Sequence, residues 1–305
     1  MKLLSCGLGG GMDIINASLI YYAAKAEGNE AMLGSSRPCP TQFIENKTLI
    51  AQSGAVINKD SIFHYSSNTG VTRYWEPKIS EYLNEDVLYF ARRFQDEVNI
   101  IRLSEAINTA KKQFEIDELL FVDGGGDSLI LTPNDISGTS DITTNPFAGG
   151  DSKVLAALSY VDKAYLGVIS VGLDVNLDGF QDNIDRLRSR NAYFGRVNLR
   201  TGEKEDYQLD HVVDFSKDYL DNYFNLSSKF LIMKEEDIGN PEMTNSHTGV
   251  VTYHTLNGNF GHKRTYVPWE PVIDGKKGVI VEPDHSWMYF FDATEIHKLK
   301  IDLNN

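Results

Sequence analysis

The sequence predicts an α/β domain: a mostly parallel sheet covered by helices on both faces, followed by a β-rich C-terminal segment. Three observations carry this. Short apolar runs alternate with segments of helical periodicity through the first two thirds of the chain. Two of those runs, "LLSCGLGGGMD" and "LLFVDGGGD", end in glycines and aspartate. Near the end, β-prone runs are joined by Asn-Gly and Asp-Gly turn signals. Strands that alternate with helices pair in parallel, because each crossover helix returns the chain to the same edge and covers one face.

In chain order, "KLLSC" reads as a strand running into a glycine turn, and "MDIINASLIYYAAKAEG" as a helix with apolar residues at helical spacing and a terminal glycine. "EAMLGSS" is a second strand, and "NEDVLYFARRF" and "RLSEAINTAKKQF" are read as helices, the latter leading into the strand "ELLFVD". "DSKVLAALSYVD" follows as a helix, then the strand "AYLGVISVGLD" and the helix "FQDNIDRLRSRNAYFG". Between Pro133 and Gly150 the chain is rich in Ser, Thr, Asn, Asp and Gly without periodicity, which predicts a long loop of the kind used as a lid. "GVVTYHTLNGNF" and "PVIDGKKGVIVE" read as hairpins. The expected division is a ligand-binding α/β domain over residues 1–235, with a β-rich extension over 236–305 that forms a subdomain or adds antiparallel strands to the main sheet.

With 43 acidic against 29 basic residues, the formal net charge is -14, which repels nucleic acid and anionic membranes at long range. No apolar stretch approaches the roughly 20 residues of a membrane span. "MKLLSC" is too short an apolar run for a secretion signal, and Cys6 and Cys39 are too few for a disulfide scaffold. These features predict a cytoplasmic protein with reduced thiols and a small-molecule ligand; the aromatic stretch "SWMYFFDA" is read as core or as the contact of a homo-oligomer.

Glycines at the carboxyl end of a parallel strand let the backbone approach a phosphate, and the helix that follows offers free N–H groups. Gly9, Gly10 and Gly11 stand at that place after the first strand, and Gly124, Gly125 and Gly126 after another. The strict G-x-G-x-x-G fingerprint is not met, because Met12 holds its last position. Aspartates accompany each strand end: Asp13 after the first, Asp123 and Asp127 around the second glycine run, and Asp174 and Asp178 after "VISVG". Carboxylates crowded at one crevice repel one another unless a cation, a proton or ligand hydroxyls relieve them. The expected metal ligands, for Mg²⁺ held with a phosphorylated ligand, are Asp13, Asp127 and Asp174, with Asp127 and Asp174 the expected catalytic carboxylates. Helix capping accounts equally well for Asp13 taken alone. The second strand ends in Ser35, Ser36 and Arg37 with no acid, which suits the 2′-phosphate of NADP better than a free ribose hydroxyl. The expected function is therefore a transferase or hydrolase acting on a nucleotide or phosphorylated metabolite. An NADP-dependent oxidoreductase and a non-catalytic metabolite-binding protein are the alternatives. His247, His254, His262 and His285 match no zinc spacing, and Arg186, Arg188 and Arg190 do not share a helix face.

In this order of motifs the chain resembles the archaeal and bacterial family known as domain of unknown function 1152. The carriers are "GLGGGMD", "VDGGGDSL", then Pro146, Asp151 and "VLAAL", and last "VGLD", over roughly the first 180 residues. The resemblance implies a Rossmann-like α/β fold and no established activity. The chain departs from the family pattern at Met12 and in the longer, more polar segment before "LAAL".

Overall fold

The computed structural model describes residues 1–9, 13–64, 74, 76–92, 97–124, 126–135, 146–147, 149–169, 177–198, 203–209, 251–256, 260–266, 272–274, 279–281 and 287–305. For residues 15, 19, 26, 97, 177, 178 and those between 251 and 281, the description is of the backbone alone. In chain order the elements are β1 (Lys2–Gly7), α1 (Asp13–Ala26), β2 (Glu30–Arg37), β3 (Ile44–Ala51), β4 (Gly54–Phe63), α2 (Glu76–Leu83) and β5 (Val87–Ala91). They continue with α3 (Glu97–Gln113), β6 (Glu118–Gly124), α4 (Gly150–Leu158), β7 (Ala164–Ile169), α5 (Leu177–Ser189), β8 (Tyr193–Asn198) and β9 (Lys204–Glu205). β10 (Val251–Leu256) pairs antiparallel with β11 (Phe260–Tyr266), and β12 (Val272–Asp274) with β13 (Val279–Val281). β14 (Trp287–Asp292) and α6 (Ala293–Asn304) end the chain.

Ten strands form one sheet in the order β3-β4-β5-β2-β1-β6-β7-β14-β8-β9. Its centre, β5-β2-β1-β6-β7, is parallel throughout. Successive residues of a strand face opposite sides, and the central strands split accordingly. Leu4 and Cys6 of β1 and Leu119 and Phe121 of β6 join one core with α3, α4, α5 and α6. Leu3, Leu120 and Val122 join the other with α1 and Ile79 of α2. Being buried on both faces, these strands read as near-continuous apolar runs.

Two helix assignments made from the sequence need correction. "VLYFA" within "NEDVLYFARRF" is β5, a strand buried at every position, and its short apolar run carries no period to separate strand from helix. The end of "FQDNIDRLRSRNAYFG" is likewise strand β8, reached after α5 stops at Ser189. The hairpin β3-β4, which pairs with β5, was not anticipated. Of the long polar loop, residues 136–145 and 148 lie outside the described residues. Cys6 and Cys39 are both buried free thiols. No helix among the described residues is long and apolar enough to cross a membrane.

β14 lies in the middle of one half of the main sheet, antiparallel to β7 on one side and to β8 on the other. Residues 287–305 thus complete a sheet begun at residue 2. Phe291 is fully buried in the core beneath α6, whereas Ile301 on α6 is 39% exposed. Phe291→Ala is expected to cost about 3–5 kcal/mol in urea unfolding, and Ile301→Ala less than about 0.5 kcal/mol.

Candidate functional site

The direction of strand addition reverses between β1 and β6: the chain moves outward through β2 and β5 on one side, and through β7 on the other. At such a reversal the two connecting helices leave on opposite faces and open a crevice beyond the strand ends. α1 starts there with Asp13, and α4 carries Asp151 in its first turn. The end of β6 adds Asp123. Oxygens of Asp13, Asp123 and Asp151 all lie within 4.8 Å of one another, and all three side chains are buried.

Each carboxylate is fixed by its neighbours. The backbone N–H of Gly9 donates to Asp13 Oδ2 at 2.9 Å and that of Gly124 to Oδ1 at 3.2 Å, so Asp13 ties the two glycine loops together. Asp123 Oδ2 accepts from both the backbone N–H and the hydroxyl of Ser128. Arg92, just past β5, donates from Nη1 to Asp151 Oδ1 at 2.8 Å, a buried ion pair that spans the carboxyl end of β2. Glycine makes these approaches possible. A Cβ on Gly9 would stand 2.0 Å from Asp151 Oδ1, and one on Gly150 would stand 1.9 Å from Arg92 Nη1.

Burial, then the charges of Asp151 and Asp123, hold the Asp13 carboxyl well above the usual carboxylate range; Arg92 and the Gly124 N–H oppose this. Lys300 of α6 is fully buried and donates from Nζ to Ser152 Oγ at 2.8 Å. Burial pushes its ammonium down to about 8, against the pull of Asp127, Asp151, Asp123 and Asp135. Arg92 Nε is a further buried donor with no hydrogen-bond partner among the described residues. The arrangement is a buried cluster of three acids flanked by two cations. It can accept one hard cation at the acids and offers a donor to an anion beside them.

The two glycine-aspartate loops thus meet at one edge, as the parallel topology requires. Of the expected ligands, Asp13 is in the cluster. Asp127 is half-buried on a 3-10 turn (Asp127–Leu129) after Gly126, where it faces Lys300 and is not one of the three that converge. Asp174, Gly10, Gly11 and Gly125 lie outside the described residues. Gly9 and Gly124 spend their N–H groups on Asp13. Asp123 and Asp151 take the remaining two places. The third was legible only as part of the family motif, because nothing in its spacing says that α4 begins against the first glycine loop. Arg92 was hidden by the helix reading of its segment. Lys300 had one signal, its place four residues after the buried Ile296 on the inward face of α6. Arg186, Arg188 and Arg190 are engaged elsewhere, with Asn183, with Asp185 and Asp206, and with Asp302. His247, Asp284 and His285 lie outside the described residues.

Gly9→Ala is expected to push Asp151 off the loop and destabilise the protein by about 1–3 kcal/mol, the usual cost of overpacking a tight contact. Gly149, where a Cβ would meet nothing within 4 Å, supplies the control. Gly149→Ala should change the thermal midpoint little, by an equivalent of about 0.5 kcal/mol or less.

No curated protein and no solved structure matches the chain. A family model does, over residues 4–212, which run from within β1 through β9 and include Asp13, Asp123 and Asp151. The chain therefore belongs to the family described as "Protein of unknown function (DUF1152)".

Proposed function

We propose that this protein binds a nucleotide or another phosphorylated small metabolite with a divalent cation such as Mg²⁺, as a transferase or hydrolase. The observation that carries the reading is the convergence of Asp13, Asp123 and Asp151 within 4.8 Å at the strand-order reversal. Numbered among themselves, the parallel strands run 3-2-1-4-5, the order of a Rossmann-like sheet, and the reversal is where such sheets take their ligands.

The donor set fits a hard cation. It is all oxygen and comes from three separate elements, with lone pairs left over after the hydrogen bonds from Gly9, Gly124, Ser128 and Arg92. Mg²⁺ binds phosphates while keeping few protein ligands, and there it supplies charge neutralisation of the phosphoryl oxygens. The chain's own residues do the rest. Arg92 Nε gives a phosphate oxygen its buried donor, and Lys300 adds positive charge from the far side. Asp127, which follows the same glycines as Asp123 and faces Lys300, would take a proton from an attacking hydroxyl or water. The hydrogen bonds from Ser128 and the Arg92 pair hold Asp123 and Asp151 in place before any ligand arrives, so little reorganisation accompanies binding.

The pH dependence has a definite sign. The folded-state pKa of Asp13 lies above its unfolded value of about 3.9. Its contribution to the ligand-free protein's stability is therefore full below that value and is lost as pH rises through the folded pKa. A cation competes with that proton, so cation binding strengthens over the same rise. In thermal melts, MgCl₂ with tripolyphosphate should raise the midpoint more at the higher of two pH values than at the lower. Asp151→Asn or Asp123→Asn should remove most of the gain. No shift with Mg²⁺ or Mn²⁺ at either pH would reject the reading.

A further inference from the structure

The end of β2 has an acid after all, delivered from another element. Glu76, the first residue of α2, is completely buried, and its Oε1 accepts a 2.6 Å hydrogen bond from Ser35 Oγ. Arg37 Nε stands 4.0 Å from the same oxygen, and the Arg37 guanidinium lies 5.4 Å from the centre of the Tyr74 ring. Glu76 Oε2 has no hydrogen-bond partner among the described residues. A buried carboxylate oxygen without a donor leaves its lost hydration uncompensated, which marks a place where a donor belongs.

That place borders the acidic cluster. Ser35, which donates to Glu76, pairs in register with Gly7 of β1, two residues before Gly9, whose N–H donates to Asp13. Both acids begin helices that pack on the same face of the sheet. A nucleotide whose phosphates lie at the first strand's loop brings its ribose to the end of the second strand, where an acid reads the hydroxyls. That acid ordinarily follows about 20 residues after the glycines. Here the position holds Ser35, Ser36 and Arg37. The chain then makes the hairpin β3-β4 before returning an acid to the same spot at Glu76.

We infer that Glu76 reads the ribose hydroxyls of a nucleotide, accepting a hydroxyl hydrogen at Oε2 while Ser35 holds Oε1. The inference rests on the phosphate-binding reading above and makes the substrate class a ribonucleotide. It also turns the site against a 2′-phosphate. Such a group would meet the Glu76 carboxylate, and Arg37, its natural partner, already faces Glu76 and the Tyr74 ring.

The test is calorimetry on the full chain with Mg²⁺. The probes are the four ribonucleoside diphosphates, their 2′,3′-dideoxy forms, and tripolyphosphate. At least one ribonucleoside diphosphate should bind tenfold or more tightly than its dideoxy form, and Glu76→Gln should narrow that ratio to about twofold. Equal affinity of every ribo and dideoxy pair for the unaltered protein would overturn the inference, and this comparison needs no variant to fold. Tripolyphosphate binding with no nucleotide binding more tightly would overturn it too, while leaving the phosphate reading in place. If no probe binds, both fall.

Discussion

Three carboxylates held within 4.8 Å of one another in a buried crevice set the conditions that the surrounding structure has to meet. Like charges at that separation and depth cannot all stay ionised without help. Help comes from four directions: two glycine N–H groups on Asp13, Ser128 on Asp123, Arg92 on Asp151, and Lys300 behind them. The first turns of α1 and α4 add the positive ends of their dipoles, the position in a helix where a carboxylate is favoured. An arrangement this heavily supported is costly if its only purpose is to cap two helices. One capping hydrogen bond needs one acid, and the other two would be freed from repulsion by replacement with neutral residues.

The cluster exists because of how the sheet is wound. At the reversal between β1 and β6 helices from opposite faces begin side by side, and only a residue without a side chain at Gly9 lets Asp151 close against the loop. The last part of the chain is as necessary as the first. β14 fills the gap between β7 and β8, and α6, which follows it at once, places Lys300 beside Ser152. Residues as far apart in sequence as 9 and 300 thus share one site. Packing of the terminal helix and charge balance at the acids are then coupled: loosening α6 would remove a cation from among four aspartates.

Much of this frame was legible in the sequence, and the gaps have physical causes. β1, α1, β2, β6 and α4 were readable because each combines a clear apolar pattern with a glycine or a turn at its boundary. β5 was not, since five consecutive buried residues carry no period, and with it went Arg92. Asp13 was identified by following a glycine run into a helix. Asp123 and Asp127 flank the same glycines, and spacing along a loop does not show which carboxylate turns inward. Glu76 was invisible for a related reason. It is separated from Ser35 by 41 residues and an unanticipated hairpin, so the apparent lack of an acid at β2 reflected chain order alone.

The most direct measurement is anomalous scattering from a crystal of the full chain soaked with MnCl₂, Mn²⁺ serving as a heavier substitute for Mg²⁺. The account predicts a single strong anomalous peak bounded by oxygens of Asp13, Asp123 and Asp151, with metal–oxygen distances near 2.1–2.2 Å, slightly longer than the about 2.0–2.1 Å of Mg²⁺. Ordered Mn²⁺ elsewhere with this cluster unchanged, its acids joined only by protons and by their bonds to Arg92 and the backbone, would contradict it.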